Sequence, residues 1–298
     1  MNQFLDTQYS TELAEVLVHE MAAYEALWLE QGTSFKSLAD KFKHYPNRAP
    51  TDFVSSTRIA ELVKSLSDTV RRFEVSRFGV RVHNRKGYPL KLRDAKNPVE
   101  LLYYQGCWEL INTPAIAVIG ARKVSETGIR RTRRLVKNLV DDGFTVVSGL
   151  AEGVDAAAHN AAIELGGNTI AVIGTPLSHY YPNKNSTLQR TIATEYLLIS
   201  QVPFQRYLEQ DFHLNRWFFP ERNKTMSALT LATVIVEASD RSGTLHQADA
   251  AISQGRTLFI LESCFKNPGL VWPKKYEAKG AIRVKTYDDI KRYCFDMT

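Results

Sequence analysis

Four times between residues 115 and 244, a short run of β-branched and small apolar residues stops at a glycine, a serine or a glutamate and gives way to a loop. In three of the four a helical pattern comes next. The runs are Ala115-Ile-Ala-Val-Ile-Gly120, Phe144-Thr-Val-Val-Ser148, Thr169-Ile-Ala-Val-Ile-Gly174 and Thr233-Val-Ile-Val-Glu237. Helical patterns start near Ser125, cover Ala156 to Leu165, and cover Leu245 to Gln254. Strands that alternate with helices in this way build an open sheet through right-handed crossovers. The expected fold class is therefore α/β, an extended Rossmann-like, doubly wound and mostly parallel sheet. In such sheets ligands bind outside the carboxyl ends of the strands, so the loops after the four runs are expected to converge on one crevice.

The turn after the second run, Ser148-Gly-Leu-Ala-Glu-Gly-Val-Asp155, has the chemistry of a ligand loop. Gly149 and Gly153 allow positive φ and let backbone N–H groups approach a phosphate or carboxylate, and the helix that follows adds partial positive charge at its N-terminus. Asp155 has two readings, a helix cap or a hydrogen-bond acceptor for a sugar or base. Gly120 ends the first run, and Ser242, Gly243 and Thr244 end the loop after the fourth; with Ser148 these complete the expected phosphate loops. No GxGxxG occurs in these turns, which argues against a standard dinucleotide site.

The first 85 residues differ in kind. Thr11 to Glu30 and Thr57 to Phe73 have helical periods, strand-like runs are not evident, and the stretch around Lys43 to Thr51 is hydrophilic. Residues 1–85 are read as a small helical domain, the charged, breaker-rich residues 86–100 as a linker, and residues 101–298 as the Rossmann-like domain. Ala281 to Val284 and Tyr287 to Tyr293 read as a last strand and a short helix. Met1 to Tyr9 has no basic stretch followed by an apolar core, and no apolar run approaches the ~18–20 residues that span a bilayer, so a cytoplasmic location without a membrane partner is expected. Cys107, Cys264 and Cys294 lack the spacing of a zinc site or a redox pair and read as buried or half-buried thiols. No metal and no cofactor is expected.

The formal net charge of +6 favours a polyanionic partner, but where the cations sit matters more. The helix after the first run reads Gly-Ile-Arg-Arg-Thr-Arg-Arg-Leu-Val-Lys; Arg130, Arg134 and Lys137 face away from its apolar side, with Arg131 and Arg133 on the flanks. That ridge is either a solvated face or a partner surface. Arg122 and Lys123 at the end of the first run, and Arg222 and Lys224 after Arg216-Trp-Phe-Phe-Pro-Glu221, are better placed to enter the crevice. Tyr180, Tyr181, Trp217 and Phe218 lie near the same loops. Each aromatic has a core reading and a stacking reading, and cations interleaved with aromatics are what single-stranded nucleic acid binding requires.

These motifs, taken in order, resemble the DNA-processing protein A family of bacteria, also called Smf. Tyr88-Pro89, Asn97-Pro98, Leu102-Tyr103 and Gly106 match the family's opening pattern, and Ile119-Gly120-Ala121-Arg122 its Val-Gly-Ser-Arg turn. Ser148-Gly149-Leu150-Ala151, Gly153, Asp155 and Ala158-His159 match its central signature. Tyr181-Pro182 with Asn185, Phe219-Pro220 with Arg222-Asn223, and Ser242-Gly243-Thr244-Leu245 complete it. The resemblance implies a non-enzymatic protein that binds single-stranded DNA in a basic pocket, forms a homodimer and hands the strand to a RecA-type recombinase. It implies DNA contacts by Arg122, Arg222 and Asn223, over a floor of N–H groups near Gly149, Gly153, Gly243 and Thr244; Lys123, Lys184 and Lys224 are further candidates for DNA contact. The chain departs from the family at Gln201, at Glu262-Ser263 and at Lys224, and the winged-helix domain that many members carry is not expected in it.

Two other functions fit the same fold. Phosphoribohydrolases of similar fold use a Gly-Gly-x-Gly-Thr-x-x-Glu loop, but here Gln247 takes the glutamate's place, and an amide cannot serve as a general base. A binding module that senses a small nucleotide would use the same phosphate loops without chemistry. His159 and His246 read as structural histidines. The expectation is sequence-independent binding of single-stranded DNA, in DNA uptake, recombination or genome defence.

Overall fold

The computed structural model describes residues 1, 5 and 9–295; part of the stretch Met1 to Tyr9 read for a leader, and the last three residues of the C-terminal unit, lie outside the described residues. Among the described residues nine strands form one sheet: β1 (Gly79–Val82), β2 (Leu101–Gly106), β3 (Ala115–Ile119), β4 (Thr145–Ser148), β5 (Thr169–Ile173), β6 (Leu197–Ser200), β7 (Ala232–Ile235), β8 (Thr257–Leu261) and β9 (Ile282–Val284). Their order is β1-β2-β6-β5-β4-β3-β7-β8-β9. The six pairings from β6 to β9 are parallel, whereas β1–β2 and β2–β6 are antiparallel. From β3 the chain first moves outward through β4, β5 and β6, then returns to the other side of β3 with β7, β8 and β9. The order of winding therefore reverses between β3 and β7, whose ends are in register at Ile119 and Ile235, and a crevice opens at that reversal.

Among the described residues, twelve helices cover the sheet. The first three are α1 (Thr11–Leu29), α2 (Phe35–His44) and α3 (Ser56–Arg72), followed by α4 (Glu126–Asp141), α5 (Val154–Glu164), α6 (Ser186–Glu195), α7 (Phe204–Glu209), α8 (Phe218–Leu229) and α9 (Thr244–Ser253). The short α10 (Glu262–Phe265), α11 (Trp272–Glu277) and the terminal α12 (Tyr287–Phe295) complete the set. Leu135, Val136 and Leu139 of α4, Ala158 and Ala162 of α5, and Ile290 of α12 share one core layer with Ile116, Val118, Val146 and Val234 of the sheet. The other face is larger and continuous: side chains of α1, α3, α8 and α9 pack with Ile170, Val172, Leu198 and Ile260 in one cluster.

The N-terminal helices are bound into this second face by buried carboxylates. Glu25 of α1 accepts from the Tyr103 hydroxyl (2.7 Å) and from the Phe204 and Gln205 N–H groups (2.8 and 2.9 Å), which open α7 and have no partner inside their own helix. Glu20 accepts from the Thr51 N–H (3.1 Å) and from Arg85 (2.9 Å). The expectation of no strand before residue 85 fails at β1, which pairs with β2 as an edge of the sheet. Its Arg81 is held between the rings of Tyr104 and Trp108, 4.6 and 4.7 Å from their centroids, so a charged residue sits where the pattern broke the apolar run. Tyr88, Leu92, Ala95 and Val99, in the stretch read as a linker, belong to the same buried cluster.

Candidate functional site

The crevice, about 940 Å³, is walled by the loops that follow β3 and β7, by the start of α8 and α9, and by Cys264 and Asn267 beyond β8. Its two central loops are joined directly. The Ala121 N–H donates to Glu237 O (2.7 Å), and the Thr244 hydroxyl donates to Gly120 O (3.0 Å). The Glu237 carboxylate accepts from the Ser125 N–H (3.1 Å) and hydroxyl (2.7 Å), fixing the start of α4, while Ser125 itself caps the Gly128 N–H (2.9 Å). Glu237 thus orders the loops of the crevice.

The Ser148–Asp155 turn supports this wall from behind. Gly153 has φ +81°, and a Cβ there would come within 2.2 Å of Ala121 O, so only glycine lets α5 begin against the loop that carries Arg122. Leu150 adopts φ 60° without being glycine. Its side chain is fully buried, and its carbonyl accepts from Asn185 Nδ2 (2.9 Å), which holds the strained conformation in place. Asp155 resolves its two readings in favour of structure. Its carboxylate reaches back to the Gly149 N–H (3.1 Å) and the Ala151 N–H (3.4 Å), and burial pushes its pKa up against the opposing pull of Arg222 and these amides. The Ser148 hydroxyl is buried and donates to Val118 O (2.7 Å). Ser148, Gly149 and Gly153 therefore shape the loop but do not line the crevice; of this turn, only Ala151 and Asp155 reach it.

Arg222 departs furthest from the sequence expectation. It is only 6% exposed. Nη1 donates to Gly149 O (2.6 Å) and Val172 O (2.5 Å), and Nε donates to Asn223 Oδ1 (3.0 Å). Burial pulls its pKa down to about 10, so it stays charged at neutral pH. A free guanidinium fork for a phosphate is thus corrected to a cross-brace between the Gly149 turn and β5, with at most Nη2 left for a ligand. The same brace explains Gly149, where a Cβ would lie 2.3 Å from Arg222 Nη1. Asn223 does line the crevice, with Nδ2 3.4 Å from Gly243 O. Lys224 is paired with Glu221 (2.6 Å) and Lys184 with Glu152 (3.5 Å), and neither lines the crevice.

Gly120, Arg122, Lys123, Ser242, Gly243 and Thr244 are brought together as expected, and Arg131, Arg241 and His246 join them. Arg122, Lys123, Arg131 and Arg241 have no carboxylate partner among the described residues. The sequence reading missed two of the four. Arg241 was legible from its place in the loop after the fourth run, whereas Arg131 was assigned to the flank of an exposed ridge. Phe219 and Pro220 form one lip, and Tyr181 packs on Phe219 with centroids 5.4 Å apart while remaining 44% exposed. Trp217 is 73% exposed. Phe218, by contrast, is buried against Phe35 and Trp28 and anchors α8 to the N-terminal helices.

The crevice can hold anions, and proton transfer finds little support in it. Gln247 is buried at its edge; oriented as its neighbours require, its amide nitrogen donates to Asn223 O (2.6 Å) and its oxygen accepts from the Ser227 N–H (3.2 Å). Glu237 and Asp155 are committed to backbone donors. His159 is fully buried, with Nδ1 2.7 Å from the Thr169 hydroxyl, and burial lowers its pKa to about 3. Among the described residues no cluster of His, Cys, Asp and Glu is arranged to hold a metal ion, and no helix is long and apolar enough to cross a membrane.

The family described as DNA recombination-mediator protein A matches residues 79–294. The DNA processing protein DprA of Streptococcus pneumoniae is 37% identical over 175 residues, which cover 58% of this chain and 59% of that protein, less than two thirds of its length. The X-ray structure of DNA processing protein A from Streptococcus pneumoniae superposes with a TM-score of 0.68 at 27% identity, covering 95% of this chain and 98% of that one. A structure of DNA processing protein A from Helicobacter pylori, described for its single-stranded DNA binding mode, gives a TM-score of 0.62 at 25% identity over 74% of this chain and 96% of that one.

Proposed function

The chain belongs to the DNA recombination-mediator protein A family, and on that premise we propose that the crevice between β3 and β7 binds single-stranded DNA without regard to sequence. The observation that carries this reading is the set of four cations, Arg122, Lys123, Arg131 and Arg241, that line the crevice and form no ion pair among the described residues, while the carboxylates beside them, Glu237 and Asp155, are engaged by backbone and hydroxyl donors. Phosphates meet these cations. Bases turn toward the lip of Tyr181 and Phe219 and toward Trp217, and stacking on such rings tolerates any sequence. The reading is of a binding protein and not a hydrolase, because Gln247 supplies no carboxylate and its amide is engaged with α8. In the cell it places the protein in the cytoplasm, in DNA uptake, recombination or genome defence, with a RecA-type recombinase and a second copy of the chain as partners.

Fluorescence anisotropy of labelled oligo-dT against duplex DNA, at several salt concentrations, tests the proposal. Four phosphate contacts give a slope of about −3 in log K against log salt, and preference for the single strand is expected. Tight binding of AMP or a cyclic nucleotide with no affinity for DNA would overturn the reading in favour of a nucleotide sensor.

A further inference from the structure

Helix α4 carries five cations, Arg130, Arg131, Arg133, Arg134 and Lys137. Three are paired. Arg130 lies 4.0 Å from Glu126, Lys137 lies 2.5 Å from Asp141, and Arg133 bonds Glu164 of α5. Arg131 and Arg134 have no carboxylate partner among the described residues, and both are exposed. Three residues apart, they stand about 4.5 Å apart along the helix axis and roughly 60° around it. Arg131 lines the crevice, so the unpaired pair starts at the proposed DNA site and leads down α4. Arg133 points to α5, and Arg131, about 200° away around the helix, points to the opposite flank. Acidic groups near that flank are already taken: the Glu237 carboxylate, which lies against Gly128 one turn before Arg131, accepts from the Ser125 N–H and hydroxyl, and Asp142 accepts from the Tyr287 hydroxyl and Lys291 of α12 (2.8 Å each). Like charges at this spacing repel in the free protein, and a polyanion laid across them removes the repulsion.

We infer that a strand seated in the crevice continues along α4, with Arg131 and Arg134 holding phosphates beyond the pocket. This rests on the single-stranded DNA reading of the crevice and extends it to a longer site. It also divides the basic ridge seen in the sequence. Arg131 and Arg134 belong to the DNA path, and the paired Arg130, Arg133 and Lys137 do not.

The test titrates oligo-dT of six and of twenty nucleotides with wild type, Arg134→Ala and the control Arg133→Ala. Arg134 is exposed and makes no bond that the fold needs, and circular dichroism and melting verify that each variant is folded. Arg134→Ala is expected to lower the ratio of twenty-mer to six-mer affinity and to flatten the salt slope for the twenty-mer alone by about 0.7. Its deficit on the twenty-mer then shrinks about fivefold over a tenfold rise in salt. Arg133→Ala is expected to keep the wild-type ratio. An unchanged ratio for Arg134→Ala, or an equal loss on both lengths, overturns the track while leaving the crevice in place. Failure of wild type to bind either oligonucleotide overturns the crevice reading itself.

Discussion

Replacing Arg222 with methionine, which keeps most of the volume and removes the guanidinium, tests whether this residue is a brace or a phosphate fork. Nη1 serves two carbonyls, Gly149 O and Val172 O, that lie in the buried interior. Each carbonyl left without a donor costs about 1–3 kcal/mol. Asp155 also loses the positive charge that opposes its burial. Methionine recovers part of this, because the burial that pulls the arginine pKa down to about 10 is a desolvation cost that a thioether does not carry. The expected net loss is about 2–4 kcal/mol, or roughly 3–6 °C in melting temperature for a chain of this size. Urea unfolding followed by tryptophan fluorescence reads it, alongside Arg122→Ala as a reference. Arg122 is exposed and unpaired among the described residues, so its loss should move stability by no more than about 0.5 kcal/mol. If Arg222→Met unfolds together with wild type, the cross-brace is wrong and the guanidinium is free for a ligand.

Three further outcomes are expected. Arg122→Ala weakens binding to oligo-dT and to mixed-sequence strands alike and flattens the salt slope by about 0.7; a loss confined to one sequence would contradict a phosphate contact. Gly153→Ala forces a Cβ to 2.2 Å from Ala121 O and strains a φ of +81°, so it lowers the melting temperature and, by displacing the Arg122 loop, the DNA affinity of the folded protein as well. Burial raises the Glu25 pKa from the ordinary carboxylate value of 4.5 to about 7, so its contribution to stability is full below pH 4.5 and is lost as pH rises through about 7. That amounts to about 3 kcal/mol across the window. Urea midpoints at pH 5, 6 and 7.5 are expected to show this fall in wild type and not in Glu25→Gln, and a matching fall in the variant would refute the assignment.

Much of the architecture was legible because it is written locally. The runs that end at Gly120, Ser148 and Glu237, the helix start near Ser125 and the glycine at position 153 follow from short-range pattern, and with the crossover rule they place a crevice where the structure has one. β1 was not legible, because Gly-Val-Arg-Val looks like a strand only once Arg81 finds the rings of Tyr104 and Trp108. The standing of each cation was not legible either. Arg222 lies 73 and 50 positions from the carbonyls it serves, Lys184 pairs with a residue from another loop, and the unpaired state of Arg131 depends on which neighbours have already taken the nearby carboxylates. The sequence alone determined which loops meet, since backbone conformation and apolar periodicity are properties of neighbouring residues. Only the tertiary structure decided which charges in those loops remain free for a ligand, because burial and pairing are set by residues brought together from distant parts of the chain.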